Sequence, residues 1–282
     1  MPRRLYVSID AEGLPGVFHP AQLSPDGKLF RELQLVMGRF VETVADEAER
    51  LGYDEVWVAD SHGFMGNVEY PSVPDNVVLV RGSPRPVSMV YGIERGFEAA
   101  VFIGYHPRAG TVSGVLDHTY SGKIFWDVRI NGVSVSEFYL NAIVAGYYGV
   151  PVILVAGDDK LRADVEKAAP WVVYVVLKES ASRYSTVSRS LKKVLEDTRA
   201  GLREAERRLR EGEARPLRAQ EPLVLEMVFR RPDYAEVAEL LPGARRLDGY
   251  TVVVKVENPV EAYRVLDIVV LGAFGLESLL RA

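Results

Sequence analysis

The feature of this sequence that most constrains its fold is a regular alternation of short apolar runs with amphipathic segments. Six runs rich in β-branched residues have the length and composition of buried strands: LYVSID from residue 5, EVWVADSH from 55, NVVLVRG from 76, AAVFIGYH from 99, PVILVAGD from 151 and WVVYVVL from 171. Residues 28–52 have helical apolar spacing and end at Gly52, and Ser136 is a candidate N-cap for a helix over 136–149. The alternation predicts a three-layer α/β/α fold with a largely parallel or mixed sheet.

The pattern changes after about residue 178. Residues 185–214 predict a long amphipathic helix whose apolar stripe contains Val187, Leu191, Val194, Leu195, Leu202 and Leu209. A strand (PLVLEMVF), a hairpin around GARRLDGYTVVVKVE and a final helix opening at Asn258-Pro259 follow. We therefore predict two domains. The larger α/β domain spans 1–178 and carries the candidate site described below, and a smaller C-terminal α/β region spans 179–282.

Composition limits the chemistry. The 282 residues include no cysteine, which excludes disulfides, iron–sulfur clusters and thiolate zinc sites, so any metal must be held by His, Asp or Glu. A net charge of −5 without a basic block argues against nucleic acid as a partner. The N-terminus lacks a secretory apolar segment and no apolar run approaches about 20 residues, so we expect a cytoplasmic protein without a membrane partner.

Metal-capable side chains follow three of the predicted strands. Asp10 and Glu12 follow the first, Asp60 and His62 the second, and His106 the fourth. In open parallel sheets, ligands bind beyond the carboxyl ends of the strands, so parallel neighbours would bring these groups to one rim. Two strand-end histidines with nearby carboxylates predict a metal site. Asp60 is the candidate for an outer residue that orients a ligand histidine.

Other candidates carry weaker signals. His118 lies in a Gly- and Ser-rich segment that predicts a loop, and Glu137 follows the Ser136 N-cap, where a carboxylate complements the helix dipole. His19 is interpreted as a loop residue. The sequence contains no G-x-G-x-x-G after the first strand, no P-loop, no G-x-S-x-G elbow and no H-E-x-x-H helix. Dinucleotide binding, nucleotide binding and the common serine-hydrolase and single-zinc protease functions are therefore weak alternatives.

Seven motifs in order make the chain resemble the M55 peptidases, a family of zinc-dependent D-aminopeptidases. They are S-I-D-A-E-G at 8–13, D-S-H at 60–62, S-M-V-Y-G at 88–92, G-Y-H-P-R-A at 104–109, G-V-L-D-H at 114–118, the S-E-F-Y-L-N-A block from 136, and V-A-G-D-D at 155–159. The resemblance covers nearly the whole chain and is densest between residues 5 and 160.

The resemblance implies a two-zinc site and a catalytic histidine. The implied metal ligands are Asp10, Glu12, His62, His106 and Glu137. His118 maps onto a histidine that lies near the metals in the family, where it would stabilise an oxyanion or relay a proton. The spacing between His106 and His118 is about one residue longer than the family pattern. We expect Asp10 to bridge the ions, with Glu12 and His62 on one and His106 and Glu137 on the other.

The function implied by the resemblance is hydrolysis of short peptides with N-terminal D-residues such as D-Ala, with a water between two zinc ions as nucleophile. The family further implies a homo-oligomer, a decamer of two stacked pentameric rings. Two alternatives stay open at this stage. One is a two-metal amidase or phosphoesterase, and the other is a non-catalytic peptide-binding protein accessory to transport.

Overall fold

The computed structural model describes residues 2–281. Its helices and strands are β1 Arg4–Ile9, α1 Phe30–Arg50, β2 Glu55–Asp60, β3 Val77–Val80, β4 Ala99–Tyr105, β5 Phe125–Ile130, β6 Val133–Ser134, α2 Glu137–Tyr147, β7 Val152–Asp158, α3 Arg162–Ala168, β8 Val173–Ser182, β9 Ser185–Val187, α4 Leu191–Arg210, β10 Leu223–Phe229, α5 Pro232–Glu239, β11 Arg245–Arg246, β12 Thr251–Val256 and α6 Pro259–Arg281.

The central sheet is the one that the apolar runs predict. Its seven strands have the order β3-β2-β1-β4-β7-β8-β9, and all neighbours are parallel except the antiparallel pair of β8 with the short β9. β1, β2 and β4 are adjacent, so their carboxyl ends lie at the same rim. The prediction of an α/β fold with a largely parallel sheet is confirmed.

Both faces of the central sheet are covered, which explains its continuous apolar strands. Alternate residues of β1 enter different cores. Leu5, Val7 and Ile9 pack with α1 and α4, whereas Tyr6 belongs to the core shared with α2, α3 and the C-terminal elements. This alternation follows from the two-residue period of a strand. Ser8 has the parity of Tyr6, and this places its hydroxyl on the α2 side.

A second sheet has the order β11-β12-β10-β5-β6 and is antiparallel throughout. β5 and β6 lie in a stretch for which the sequence patterns predicted no element. β5 pairs there with β10, which follows about a hundred residues later in the chain. The predicted boundary at residue 178 falls inside β8. The second sheet combines β5 and β6, which precede residue 178, with β10, β11 and β12, which follow it. The central sheet is covered by α4, which also follows residue 178. The division into 1–178 and 179–282 therefore does not coincide with the two sheets, and as a division into domains it stays a prediction.

The helix boundaries follow local signals. Gly52 adopts a left-handed φ of 87° directly after the C-cap of α1, and the Ser136 hydroxyl accepts from the Tyr139 backbone N–H at the start of α2. The Asn258 side chain caps α6 by accepting from the Glu261 N–H at 3.0 Å. The start of α4 was predicted too early. Ser190 caps it, and Val187, predicted on its apolar stripe, lies in β9. Within residues 2–281, no helix combines the length and apolar character needed to cross a membrane.

Candidate metal centre

Four elements deliver the predicted ligands to one end of the central sheet. Asp10 and Glu12 lie in the loop after β1, His62 follows β2, His106 follows β4, and Glu137 begins α2. All five are buried, with exposed fractions between 1% and 7%. Three carboxylates and two imidazoles removed from water would be costly unless they share protons or cations.

Asp10 lies at the centre of this group. Its Oδ1 is 3.4 Å from Nδ1 of His62, and its Oδ2 is 3.6 Å from Nε2 of His106. Each oxygen therefore faces the imidazole of a different strand. Glu12 extends the first pair, with Oε2 at 2.9 Å from Nδ1 of His62.

Glu137 extends the second pair. Its Oε2 is 3.4 Å from Nε2 of His106, and its Oε1 is 3.4 Å from Nε2 of His118. The rings of His106 and His118 stack with centroids 4.2 Å apart. In each of two groups of residues, the donor atoms lie within 4.8 Å of one another, close enough to hold one metal ion. One group is His106, His118 and Glu137, and the other is Asp10, Glu12 and His106.

Backbone carbonyls fix the orientation of all three imidazoles. Nε2 of His62 faces the Leu23 oxygen at 3.1 Å, and Nδ1 of His106 and of His118 face the oxygens of Pro107 and Leu116 at 3.0 and 2.8 Å. A carbonyl only accepts, so these nitrogens carry the protons and donate. The opposite nitrogen of each ring then faces the carboxylates and would offer its lone pair to a bound metal, as in metal-binding histidines.

The donor set fits divalent cations. Asp10 Oδ2, Glu12 Oε2 and His106 Nε2 are buried atoms without a hydrogen-bond partner. Buried polar atoms in native proteins are almost always paired, so three unpaired atoms that converge indicate a missing partner. Carboxylate oxygens and imidazole nitrogens are the donors that zinc and related metals accept.

The electrostatics indicate an anionic cluster that attracts positive charge. Burial raises the pKa of Asp10 to about 7, and the neighbouring Glu12 adds to the rise. Burial opposes protonation of His106, but Glu137 together with Asp10 and Glu12 outweighs it and raises the pKa of His106 to about 10. Likewise, Glu12 and Asp10 together overcome burial and raise the pKa of His62 well above its usual value. Cations bound here would replace these protons.

His118 differs from the other two histidines. Burial and then repulsion by His106 lower its pKa below the usual value, and its side chain is 19% exposed, more than either of the others. The loop that holds it contains three non-glycine residues with left-handed backbone, Ser113 at φ 56°, Leu116 at φ 49° and Tyr120 at φ 68°. The Tyr120 N–H donates to Glu137 Oε1 at 2.7 Å, so this conformation also fixes a predicted ligand.

Close backbone packing positions the loop after β1. Gly104 has a φ of 75°, and a Cβ there would lie 2.1 Å from the Asp10 carbonyl oxygen. The Gly13 N–H donates to the Gly104 oxygen at 2.7 Å. Only glycine at residue 104 allows the Asp10 loop to approach the end of β4, where His106 follows two residues later.

Asp60 supports the site indirectly. Its carboxylate accepts from the backbone N–H groups of Asn67 and Val68, the latter at 2.7 Å, and from Asn67 Nδ2 at 2.8 Å. Asn67 in turn donates to the His62 carbonyl at 2.8 Å. Asp60 thus reaches His62 through the loop backbone rather than through the imidazole, whose Nε2 faces Leu23. Its role as a partner of a ligand histidine stays a proposal.

Sequence reasoning missed Lys178, which lies in the middle of β8 and is 2% exposed. Its ammonium donates to the carbonyl oxygens of Glu12 and Val17, and so holds both ends of the loop that carries the carboxylates. Burial lowers the pKa of Lys178 to about 7. The available signal was a lone lysine directly after the apolar run 171–177, just as the predicted ligands follow apolar runs of their own. His19, interpreted as a loop residue, accepts from the Ala21 N–H and caps a short 3-10 turn.

A cavity of about 360 Å³ opens onto the centre. Asp10, Glu12, His62, His118 and Glu137 line its inner end, and Val270, Leu271 and Phe274 of α6 form an apolar wall. This size is within the range of small-molecule pockets. The structure therefore brings together the five predicted ligands and His118 beside a space open to a small substrate.

Comparisons with known proteins agree with this geometry. The M55 peptidase family, described as D-aminopeptidase, matches residues 3–268. A D-aminopeptidase from Bacillus subtilis (strain 168) is 34% identical over 271 residues, which are 93% of this chain and 95% of that protein. The solved structure of the Zn-dependent D-aminopeptidase DppA from Bacillus subtilis, described as a self-compartmentalizing protease, superposes with a TM-score of 0.91 at 32% identity and covers 96% of this chain and 98% of its own. The chain belongs to the M55 peptidase family.

Proposed function

We propose that this protein is a zinc-dependent D-aminopeptidase with a dinuclear centre that hydrolyses short peptides carrying a small N-terminal D-residue such as D-Ala. The observation that carries the proposal is the position of Asp10, whose two oxygens face imidazoles from two different strands. Such a carboxylate is arranged to bridge two ions. The metal and the stereochemical preference are supported by the relatives, which are described as D-aminopeptidases, one of them Zn-dependent.

The proposed ligands divide into two sets around Asp10. Glu12 and His62 would complete one ion, and His106 and Glu137 the other. Two ions held in this way supply polarisation of the scissile carbonyl and activation of the attacking water. Three carboxylates balance most of the charge of two divalent cations, which suits neutral imidazoles as the remaining ligands.

The protein's own groups would perform the remaining tasks. The cavity ends at the proposed centre, so a short peptide that enters it would place its N-terminal residue beside the proposed ligands. His118 is oriented by Leu116 so that Nε2 faces the cavity end near Glu137. There Nε2 can take a proton from the attacking water and pass it to the leaving amine, or stabilise the oxyanion while it holds that proton. The α6 wall of Val270, Leu271 and Phe274 excludes water from the reacting bond.

The relative described as self-compartmentalizing supports a further part of the proposal, a homo-oligomer. We propose the decamer of two stacked pentameric rings that the family resemblance implies, with the catalytic centres facing an interior space. Enclosure of this kind would restrict the substrates to short peptides.

The test combines elemental analysis with a substrate panel. Protein purified without chelator is expected to contain two zinc equivalents per chain and to hydrolyse D-Ala amide and short D-Ala peptides faster than the L-forms. Faster cleavage of L-peptides would contradict the stereochemical part. Cleavage of a phosphodiester but not of peptides would favour a phosphoesterase, and peptide binding without turnover would favour a transport-accessory role.

A further inference from the structure

Every element that supplies a proposed metal ligand also supplies a buried polar side chain close to that ligand in sequence. Ser8 precedes Asp10 by two residues, Ser61 directly precedes His62, Tyr105 directly precedes His106, and Asn141 follows Glu137 by one helical turn. We call these four residues together with Tyr263 of α6 the buried polar chain. Their exposed fractions are between 0% and 4%.

The members of the buried polar chain are joined by consecutive hydrogen bonds. The Tyr263 hydroxyl donates to Asn141 Oδ1 at 2.9 Å, and Asn141 Nδ2 donates to the Tyr105 hydroxyl at 2.8 Å. The Tyr105 hydroxyl lies 2.7 Å from Ser8 Oγ, which lies 2.8 Å from Ser61 Oγ. One continuous path therefore crosses β1, β2, β4, α2 and α6.

The protons of the buried polar chain have a fixed direction. A tyrosine hydroxyl has one proton, so Tyr105, which accepts from Asn141, donates to Ser8. The two serines then find their acceptor in the Met89 carbonyl, at 3.1 Å from Ser8 Oγ and 2.9 Å from Ser61 Oγ. Tyr263, Asn141 and Tyr105 depend on one another for these hydrogen bonds, whereas Ser61 has a second acceptor in the Ala59 carbonyl at 3.0 Å.

The apolar surroundings of the buried polar chain make the loss of any of its hydrogen bonds costly. It runs through an apolar core that includes Phe102 and Phe138. In such a core a fully satisfied network is rigid, and loss of one member leaves its neighbours unpaired. Both ends lead to the substrate cavity, since Ser61 lines it and α6 provides its apolar wall two to three turns beyond Tyr263.

We propose that the buried polar chain is a positioning device that sets the spacing of the four ligand-bearing elements and ties the cavity wall of α6 to them. The inference rests on the proposed function, because it takes the five carboxylate and imidazole groups as metal ligands. Ser61 lines the substrate cavity, whereas Ser8, Tyr105, Asn141 and Tyr263 do not. The members act by fixing the backbone positions from which the proposed ligands extend.

The test compares three tyrosine-to-phenylalanine variants. Tyr105→Phe removes the centre of the buried polar chain and Tyr263→Phe removes its α6 end. Tyr53→Phe is the matched control, because Tyr53 is 2% exposed and its hydroxyl donates to Glu206 at 2.7 Å, outside the chain. The measurements are zinc affinity by competition with a chromophoric chelator, the free energy of unfolding of the metal-free protein, and kcat and KM.

We expect Tyr105→Phe to weaken zinc affinity by about 10- to 100-fold, as for other residues that orient metal ligands, and Tyr263→Phe by at least about threefold. Tyr53→Phe is expected to destabilise the fold while zinc affinity stays within about twofold of the wild type. Wild-type affinity in a well-folded Tyr263→Phe variant would overturn the inference, as would an equal loss in the Tyr53→Phe control. A wild type that binds zinc but cleaves no peptide would overturn the proposed function alone, since the affinity comparison does not depend on turnover.

Discussion

At the scale of single residues, Asp10 is the group on which the proposed centre depends. We expect Asp10→Ala to abolish both metal content and hydrolysis, because each of its oxygens faces a different histidine. Elemental analysis and a D-Ala peptide assay measure the two effects. Asp26→Ala, at an exposed aspartate, is the control and should behave as wild type. Two metal equivalents and full activity in Asp10→Ala would exclude the bridging role.

His118 is proposed to act on the substrate rather than to hold a metal. His118→Asn should therefore retain two metal equivalents while kcat falls by about 10²- to 10⁴-fold, the usual contribution of a general acid or base. The exposed His19 provides a control, since His19→Asn preserves a capping acceptor and should leave kcat unchanged. A fall in metal content to one equivalent would instead identify His118 as a ligand, which its distance from Glu137 also permits.

Asp267 predicts a dependence of stability on pH. Burial raises its pKa from 3.8 to about 6, although the hydroxyl of Tyr120 donates to it. Because this carboxyl binds its proton more tightly in the folded than in the unfolded state, it stabilises the folded protein at about pH 4. This contribution is lost as the pH rises to about 6. Relative to Asp267→Asn, which keeps an acceptor for Tyr120, the wild type should lose about 1–2 kcal/mol over this range, after allowance for solvent screening. Urea unfolding at pH 4 to 7 measures the difference, and parallel curves would contradict the assignment.

At the scale of elements, the contact between the Asp10 loop and the end of β4 is the tightest constraint on the site. In Gly104→Ala the new Cβ would meet the Asp10 carbonyl at 2.1 Å in addition to a strained φ. We expect a loss of at least about 2 kcal/mol in the free energy of unfolding and a loss of metal binding. Gly243→Ala is a matched control, because Gly243 has a φ of 79° with nothing within 4 Å of its Cβ position.

The control should lose only about 1 kcal/mol, the cost of placing a side chain in left-handed backbone, and should bind metal normally. Equal effects of the two substitutions on metal binding would show that the close approach at Gly104 does not position Asp10. Lys178 adds a second constraint on this loop, because its ammonium ties β8 to the carbonyls of the Asp10 loop.

At the scale of the whole molecule, the proposed enclosure is the property to test. Light scattering should give a mass near ten times the 31.3 kDa subunit, and cleavage should stop as peptides become too long to enter the interior. A monomeric mass at micromolar concentration would contradict the assembly. Efficient cleavage of a long unfolded chain would contradict the restriction on substrate size.

The sequence by itself determined six strands of the central sheet, the helices α1, α2, α4 and α6, and their order along the chain. Apolar runs predict the strands of the central sheet because both of its faces are buried, and local caps such as Ser136 and Asn258 mark helix starts because they satisfy nearby N–H groups. Strand-end placement also located Asp10, His62 and His106, since parallel neighbours end at one rim.

Only the tertiary structure decided which atoms face one another. The two-sided position of Asp10, the buried Lys178, the buried polar chain and the pairing of β5 with β10 all join residues far apart in the chain. Such contacts depend on distances of a few ångströms between separate elements, whereas periodicity and capping report only on neighbours along the sequence. Local patterns therefore placed the proposed ligands that follow β1, β2 and β4 at strand ends, and packing decided which of their atoms meet.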